Sequence, residues 1–193
     1  MDWHLILGAI AGILQVSSIV PYIRGMLYGT TRPNKITMIL WLLLGLIQLF
    51  AQIDSGASWS VFLTIALTFN AFIITILAFS GYGYTKHGPL DYVCFFLALV
   101  AIIVWQSTGE PNFAIAFAII ASILAATPTI VKTYRFPETE NVTAWAIVAA
   151  AAFLGIFSTS RIDFANLAIP GYQLLENVTM VSFAYFGQRF ARR

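Results

Sequence analysis

Seven runs of mostly apolar residues follow one another along the chain, at roughly 3–28, 36–53, 58–80, 90–107, 112–134, 141–160 and 164–187. Polar residues, glycine or proline separate them. Each run approaches the length of about 20 residues that a helix needs to cross a bilayer. The runs are continuously apolar and do not alternate with a period of two, which rules out a β-barrel reading. The pattern predicts an all-α membrane protein of seven transmembrane helices joined by very short connections, with no soluble domain attached. The seventh run is the least apolar, because it contains Pro170-Gly171 and the carboxylate Glu176.

Composition agrees with that pattern. Of 193 residues, 60% are hydrophobic and 9% charged, and the mean hydropathy is +0.85. A water-exposed domain carries roughly a quarter charged residues, so the chain is not read as a cytosolic enzyme, a secreted disulfide scaffold or a disordered regulator. The formal charge of +2 and the absence of a basic stripe argue against nucleic acid as a partner. Cys94 is the only cysteine and lies in an apolar run, as a packing residue would. Met1-Asp2-Trp3-His4 lacks a basic n-region, so the first apolar run is read as retained.

Basic residues orient the spans. With the N-terminus outside, the inner loops and tail carry Arg24, Arg32, Lys35, Lys86, Lys132, Arg135, Arg189, Arg192 and Arg193. Arg161 alone remains outside, together with Asp2, Asp54, Glu110 and Asp163. An odd number of spans then leaves the C-terminus cytoplasmic.

The runs also repeat. Ser-Ile-Val-Pro21-Tyr-Ile-Arg24 ends the first, and Ala-Ala-Thr-Pro128-Thr-Ile-Val-Lys132 ends the fifth, 107 residues later. Asn70 in the third run and Asn177 in the seventh stand at the same offset. Arg32-Pro33-Asn34-Lys35-Ile36-Thr37 leads to Trp41, and Pro137-Glu138-Thr139-Glu140-Asn141-Val142-Thr143 leads to Trp145. These tryptophans are only 104 apart, which suggests a second inner loop shorter by a few residues. Spans 1–3 thus correspond to spans 5–7 as parallel repeats, an arrangement found in transporters. The predicted organisation is a triple-helix bundle at 1–85, a linker helix at 86–110 and a second bundle at 111–193.

On these residues the chain resembles the SWEET sugar transporters and the wider PQ-loop superfamily. The resemblance implies a 3+1+3 arrangement, with Pro21 and Pro128 as hinge or gate positions. It further implies that Thr37 and Thr143 are loop exits and that Asn70 and Asn177 face a central pocket. The chain departs from the pattern in places. Tyr22 and Thr129 replace the glutamine of the proline-glutamine pair. No tryptophan lies late in the second helix of either bundle, where sugar-carrying members have one; Gln48, Ala51 and Gln52 stand there in one repeat and Phe157, Ser158 and Thr159 in the other. Trp41 and Trp145 lie earlier, at a depth that suits interfacial anchors.

Polar residues inside a bilayer face the bundle interior or a wet cavity. At 100° per residue, Tyr172, Gln173, Glu176, Asn177, Thr179 and Met180 share one face of the seventh span, while Leu174, Leu175, Val178 and Val181 cover the other. Glu176 has three readings: a partner for a cationic substrate, a proton-coupling site, or a structural hydrogen-bonding group. Asn70 and Asn177 offer amide donors and acceptors from both bundles. Gln15, Ser18 and Gln48 are further candidates for the same substrate site. Gly8-x-x-x-Gly12 permits close helix contact, read as packing within the bundle, with a homo-oligomer contact as the alternative.

No catalytic constellation is read from the chain. The two histidines, His4 and His87, fall at opposite faces, so no metal set is expected. No Gly-rich phosphate loop stands beside a lysine, and no cofactor is implied. The expected function is an integral-membrane carrier, not an enzyme, that moves a small polar solute (a sugar, or an amino acid or amine) by alternating access. A receptor of KDEL-receptor-like architecture is the alternative, although it would need a basic residue in the cavity. A PnuC-type vitamin carrier, also 3+1+3, lacks its expected tryptophan and asparagine pattern here. Lipid is the expected surroundings.

Overall fold

The computed structural model describes residues 2–107 and 110–191, so Arg192 and Arg193 of the basic tail lie outside the described residues. The helices are α1 (Trp3–Ser17), α2 (Ile19–Leu27), α3 (Lys35–Asp54), α4 (Val61–Leu77), α5 (Pro89–Gln106), α6 (Pro111–Arg135), α7 (Val142–Phe157) and α8 (Phe164–Ala191). A π-turn extends α4 to Tyr82, and a short 3₁₀ turn, Pro137–Thr139, precedes α7. Helices α1 and α2 are two parts of the first apolar run, so every predicted run is helical.

Four of these helical stretches are long and apolar enough to cross a membrane: Trp3–Leu27, Lys35–Asp54, Val61–Tyr82 and Asn112–Arg135. Pro89–Val100 and Val142–Phe157 are shorter apolar helices. Helix α8, 28 residues long, does not join the first four, because Asn166, Gln173, Glu176 and Asn177 dilute its apolar run. The protein is an all-α, multi-pass membrane protein with one polar helix among apolar ones.

Local chemistry sets the boundaries. Asn34 starts α3 by accepting from the N–H groups of Ile36 (3.0 Å) and Thr37 (3.3 Å). Asn141 starts α7 by accepting from Ala144 N–H (2.9 Å). An asparagine side chain at this position satisfies backbone donors that have no helical partner. Asn34 and Asn141 are themselves 107 apart, so the offset of the prolines and the membrane asparagines persists through the second loop. The tryptophans break it only because they sit one turn apart on their helices, which corrects the expectation of a shortened loop.

Asp2 caps α1 through His4 N–H (3.0 Å) and accepts from Trp59 Nε1 (2.8 Å). The indole hydrogen bond holds its carboxyl below the usual range.

The first run breaks at Ser18. Pro21 has no N–H for the Ser17 carbonyl, and the Ser17 and Ser18 hydroxyls donate to the carbonyls of Leu14 (2.8 Å) and Gln15 (2.7 Å). Pro128, its counterpart, lies inside an unbroken α6, which α3, α5 and α8 hold from several sides. The two prolines expected to form matched hinges thus differ: one accompanies a helix break and the other does not. Pro170 likewise interrupts nothing in α8.

Helix neighbours are well defined. Helix α4 packs against α1 and α3, and α8 packs against α6 and α7. Between these sets, α1 lies against α7 and α3 against α6, so six helices close a ring. Helix α5 stands outside it, against α6 and α3. Small residues permit the approach: Ala11, Leu63, Ala151 and Ala152 form one buried cluster, and Leu40, Leu44, Ala98, Ala118, Ala121 and Ala125 another. A Cβ on Gly8 would lie 2.6 Å from the Trp59 carbonyl oxygen, so Gly8 and Gly12 serve packing inside the chain.

Large apolar side chains such as Ile13, Phe50, Phe96 and Leu175 point outward, while Gln15, Gln48, Asn70 and Asn177 are buried. That inversion suits a lipid solvent. Two positions depart from the predicted faces of α8. Leu174 packs toward Ala11, Leu63, Ala151 and Ala152, and Val181 toward Tyr22 and Met26, because α8 has neighbours on two sides. Cys94 is buried, as expected of a packing residue.

Candidate functional site: a polar central cavity

At the centre of the ring lies a cavity of about 90 Å³. Gln15 and Ser18 reach it from the first run, Gln48 from α3, Asn70 from α4, and Glu176 and Asn177 from α8. All six residues proposed from sequence for the substrate site therefore line one space. Tyr22, Trp41, Ser122, Trp145, Tyr172 and Gln173 join them.

Hydrogen bonds orient the two asparagines. Asn70 Nδ2 donates to the Gln15 backbone carbonyl and to Ser18 Oγ (3.2 Å). Asn177 Nδ2 donates to the Gln173 carbonyl (2.7 Å). A backbone carbonyl can only accept, so both amides are fixed with Oδ1 free. Asn70 Oδ1, Asn177 Oδ1, Gln15 Oε1, Gln173 Oε1 and the Tyr22 hydroxyl are buried without a hydrogen-bond partner among the described residues. Buried polar atoms left unpaired are rare in folded proteins and call for an explanation. These five line one cavity, whereas Gln52 Oε1, Thr64 Oγ1 and His87 Nδ1 are unpaired elsewhere among the described residues. Gln48 Nε2 donates to Ser122 Oγ (3.3 Å), joining α3 to α6. Glu176 is half-buried, with Tyr172 one turn earlier as its polar neighbour.

Hydrogen bonds cross between the chain's halves at both ends of the bundle. At the basic end, Lys132 Nζ donates to the Arg32 carbonyl (2.7 Å), Arg32 N–H to the Thr139 carbonyl (3.3 Å), and Asn141 Nδ2 to the Pro21 carbonyl (2.9 Å). Lys132 also pairs with Glu140, and both side chains are buried. Glu140 accepts in turn from Trp145 Nε1 (2.9 Å). At the far end, Asn166 Oδ1 accepts from Ser58 N–H (2.9 Å), Ser58 Oγ (3.0 Å) and Ser60 Oγ (3.2 Å). Asn166 is turned that way because its Nδ2 donates to Asp163 (2.8 Å). Gln52 Nε2 adds a bond to the Ala165 carbonyl (3.3 Å). The cavity lies between these two sets of ties. Its volume suffices for a few water molecules and is below the several hundred Å³ of a typical ligand pocket.

Trp41 and Trp145 turn inward onto the cavity, not outward as the expectation of interfacial anchors had them. They meet edge to face at 6.1 Å, and Trp145 also meets Tyr22 at 5.9 Å. Together they form the aromatic part of the cavity wall toward the basic end. The reason is the buried Glu140, which draws the Trp145 indole N–H inward. The sequence reading missed these rings and also Ser122. The offset of 107 was the available signal, since it pairs Gln15 with Ser122, Met38 with Trp145 and Trp41 with Val148, all cavity residues. Among the described residues, no group of three or more His, Cys, Asp or Glu could hold a metal ion.

Compared with known proteins, the chain matches no family model, no curated protein and no solved structure. The class defined by fold and site is a helical, multi-span membrane protein with a polar central cavity. The likeness to the SWEET and PQ-loop transporters rests on the sequence motifs alone.

Proposed function

We propose that the protein is a non-enzymatic membrane carrier that moves a small polar solute by alternating access through the central cavity. Its two moving parts are the triple-helix bundles at 1–85 and 111–193, with α5 in the 86–110 segment as linker, in the manner of SWEET-like transporters. The observation that carries this reading is the set of unpaired buried polar atoms around a cavity that lies between hydrogen-bond ties at its two ends. A permanent structural core would satisfy such atoms, whereas a binding site leaves them for its ligand. The ring in which α1 meets α7 and α3 meets α6 supports a two-fold relation between the bundles. The excess of Lys and Arg at one end supports an outside N-terminus and a cytoplasmic C-terminus.

The receptor alternative needs a cation to hold a ligand carboxylate, and among the described residues no Lys or Arg lines the cavity. Uptake into proteoliposomes tests the carrier reading. A labelled panel of sugars, amino acids and amines should include at least one solute that accumulates above protein-free vesicles, with and without an imposed proton gradient. Binding of a solute without any transfer would instead support a receptor.

A further inference from the structure

We infer that the central cavity recognises a small protonated amine that carries no carboxylate. This deepens the carrier reading by naming a substrate class, but its core, recognition, does not require transport. Charge is the first argument. Among the described residues, Glu176 is the only Asp, Glu, Lys or Arg lining the cavity. A carboxyl group held away from bulk water either takes up a proton or pairs with a cation, and among the described residues lining the cavity none supplies that cation. A protonated amine brings it. A neutral sugar offers no charge to the ionised form of Glu176 and can be met only by its protonated form. A zwitterionic amino acid would place a second carboxylate in a space that has no cation to receive it.

Hydrogen-bond polarity is the second argument. The polar ends that the structure fixes toward the free side, Asn70 Oδ1 and Asn177 Oδ1, are acceptors, and both residues are buried. Asn70 Nδ2 donates to the Gln15 carbonyl and the Ser18 hydroxyl, and Asn177 Nδ2 gives one hydrogen bond, to the Gln173 carbonyl. An ammonium group is a donor only, so it complements two acceptors and a carboxylate without leaving an acceptor of its own unmatched. The third argument is the wall of Tyr22, Trp41 and Trp145. Aromatic faces attract cations through the ring quadrupole, most strongly where water is excluded. Trp145 has committed its indole N–H to Glu140, which leaves its ring as the surface it offers.

The test is a titration of the purified full-length protein in detergent, read by tryptophan fluorescence and by thermal midpoint. The probes are n-butylammonium, tetramethylammonium (a cation without N–H), 4-aminobutyrate (an amine with a carboxylate) and glucose. Saturable binding of n-butylammonium is expected, at least tenfold tighter than of the other three. In Glu176→Gln its affinity should fall at least tenfold, with Glu176→Asp falling less. If Glu176→Gln does not fold, the ranking of the four probes on the unaltered protein decides the matter. Glucose binding as tightly as the amine would overturn the inference. So would amine affinity unchanged in Glu176→Gln, or no saturable amine binding at all. Amine binding without uptake would contradict the carrier reading alone, whereas glucose uptake without amine binding would contradict only this inference.

Discussion

Lys132→Met should destabilise the protein by about 3–5 kcal/mol, the range for removing one partner of a buried ion pair. Lys132 and Glu140 side chains are 5% and 0% exposed, so the variant strands a carboxylate with only the Trp145 indole N–H as donor. It also removes the bond to the Arg32 carbonyl (2.7 Å) and the cation beside the Tyr84 ring (5.7 Å). Unfolding in a mixed-detergent titration measures the loss. Most of it should return in the double variant Lys132→Met, Glu140→Gln, because the penalty comes chiefly from the uncompensated charge. A single variant as stable as the parent would mean that water reaches Glu140 and that the basic end is not closed as described.

The second large effect is functional. Asn70→Leu and Asn177→Leu should each lower uptake ten- to a hundredfold, corresponding to roughly 1–3 kcal/mol for hydrogen bonds lost to a buried ligand. Stability should change much less. In Asn70→Leu the Gln15 carbonyl keeps the Ser18 hydroxyl as a donor (2.7 Å). In Asn177→Leu the Gln173 carbonyl loses a side-chain bond from the same helix. Initial uptake rates, normalised to reconstituted protein, separate the two effects. A fall in stability that matches the fall in uptake would assign the asparagines to packing.

The helical architecture was legible because lipid imposes a coarse rule: a helix in hydrocarbon needs a long apolar stretch. Asn70 and Asn177 stood out for the same reason, since a buried amide among Phe, Ile and Val is expensive and both occur at one offset. Direction within a helix is harder to read. A tryptophan near a helix start looks alike whether it faces lipid or the interior. For Trp145 the choice follows from Glu140, whose burial depends on Lys132, eight positions earlier and beyond the turn at Phe136. No local pattern announces that pair. The unequal behaviour of Pro21 and Pro128 was also hidden, because the break at Ser18 comes with two serine hydroxyls bonded to carbonyls of the preceding turn, whereas α6 is braced by three neighbours.

The central claim is that the ties at the two ends release in turn to expose the cavity. Cross-linking each end separately, in a Cys94→Ala background, tests it most directly. At the far end Ser58→Cys with Thr159→Cys replaces hydroxyls 3.3 Å apart. At the basic end Arg32→Cys with Thr139→Cys joins residues whose backbones already share a hydrogen bond, through a reducible bifunctional thiol reagent. The account predicts that either cross-link alone stops uptake, that reduction restores it, and that the single-cysteine controls keep transporting. Uptake that continues with both ends cross-linked would contradict alternating access through this cavity.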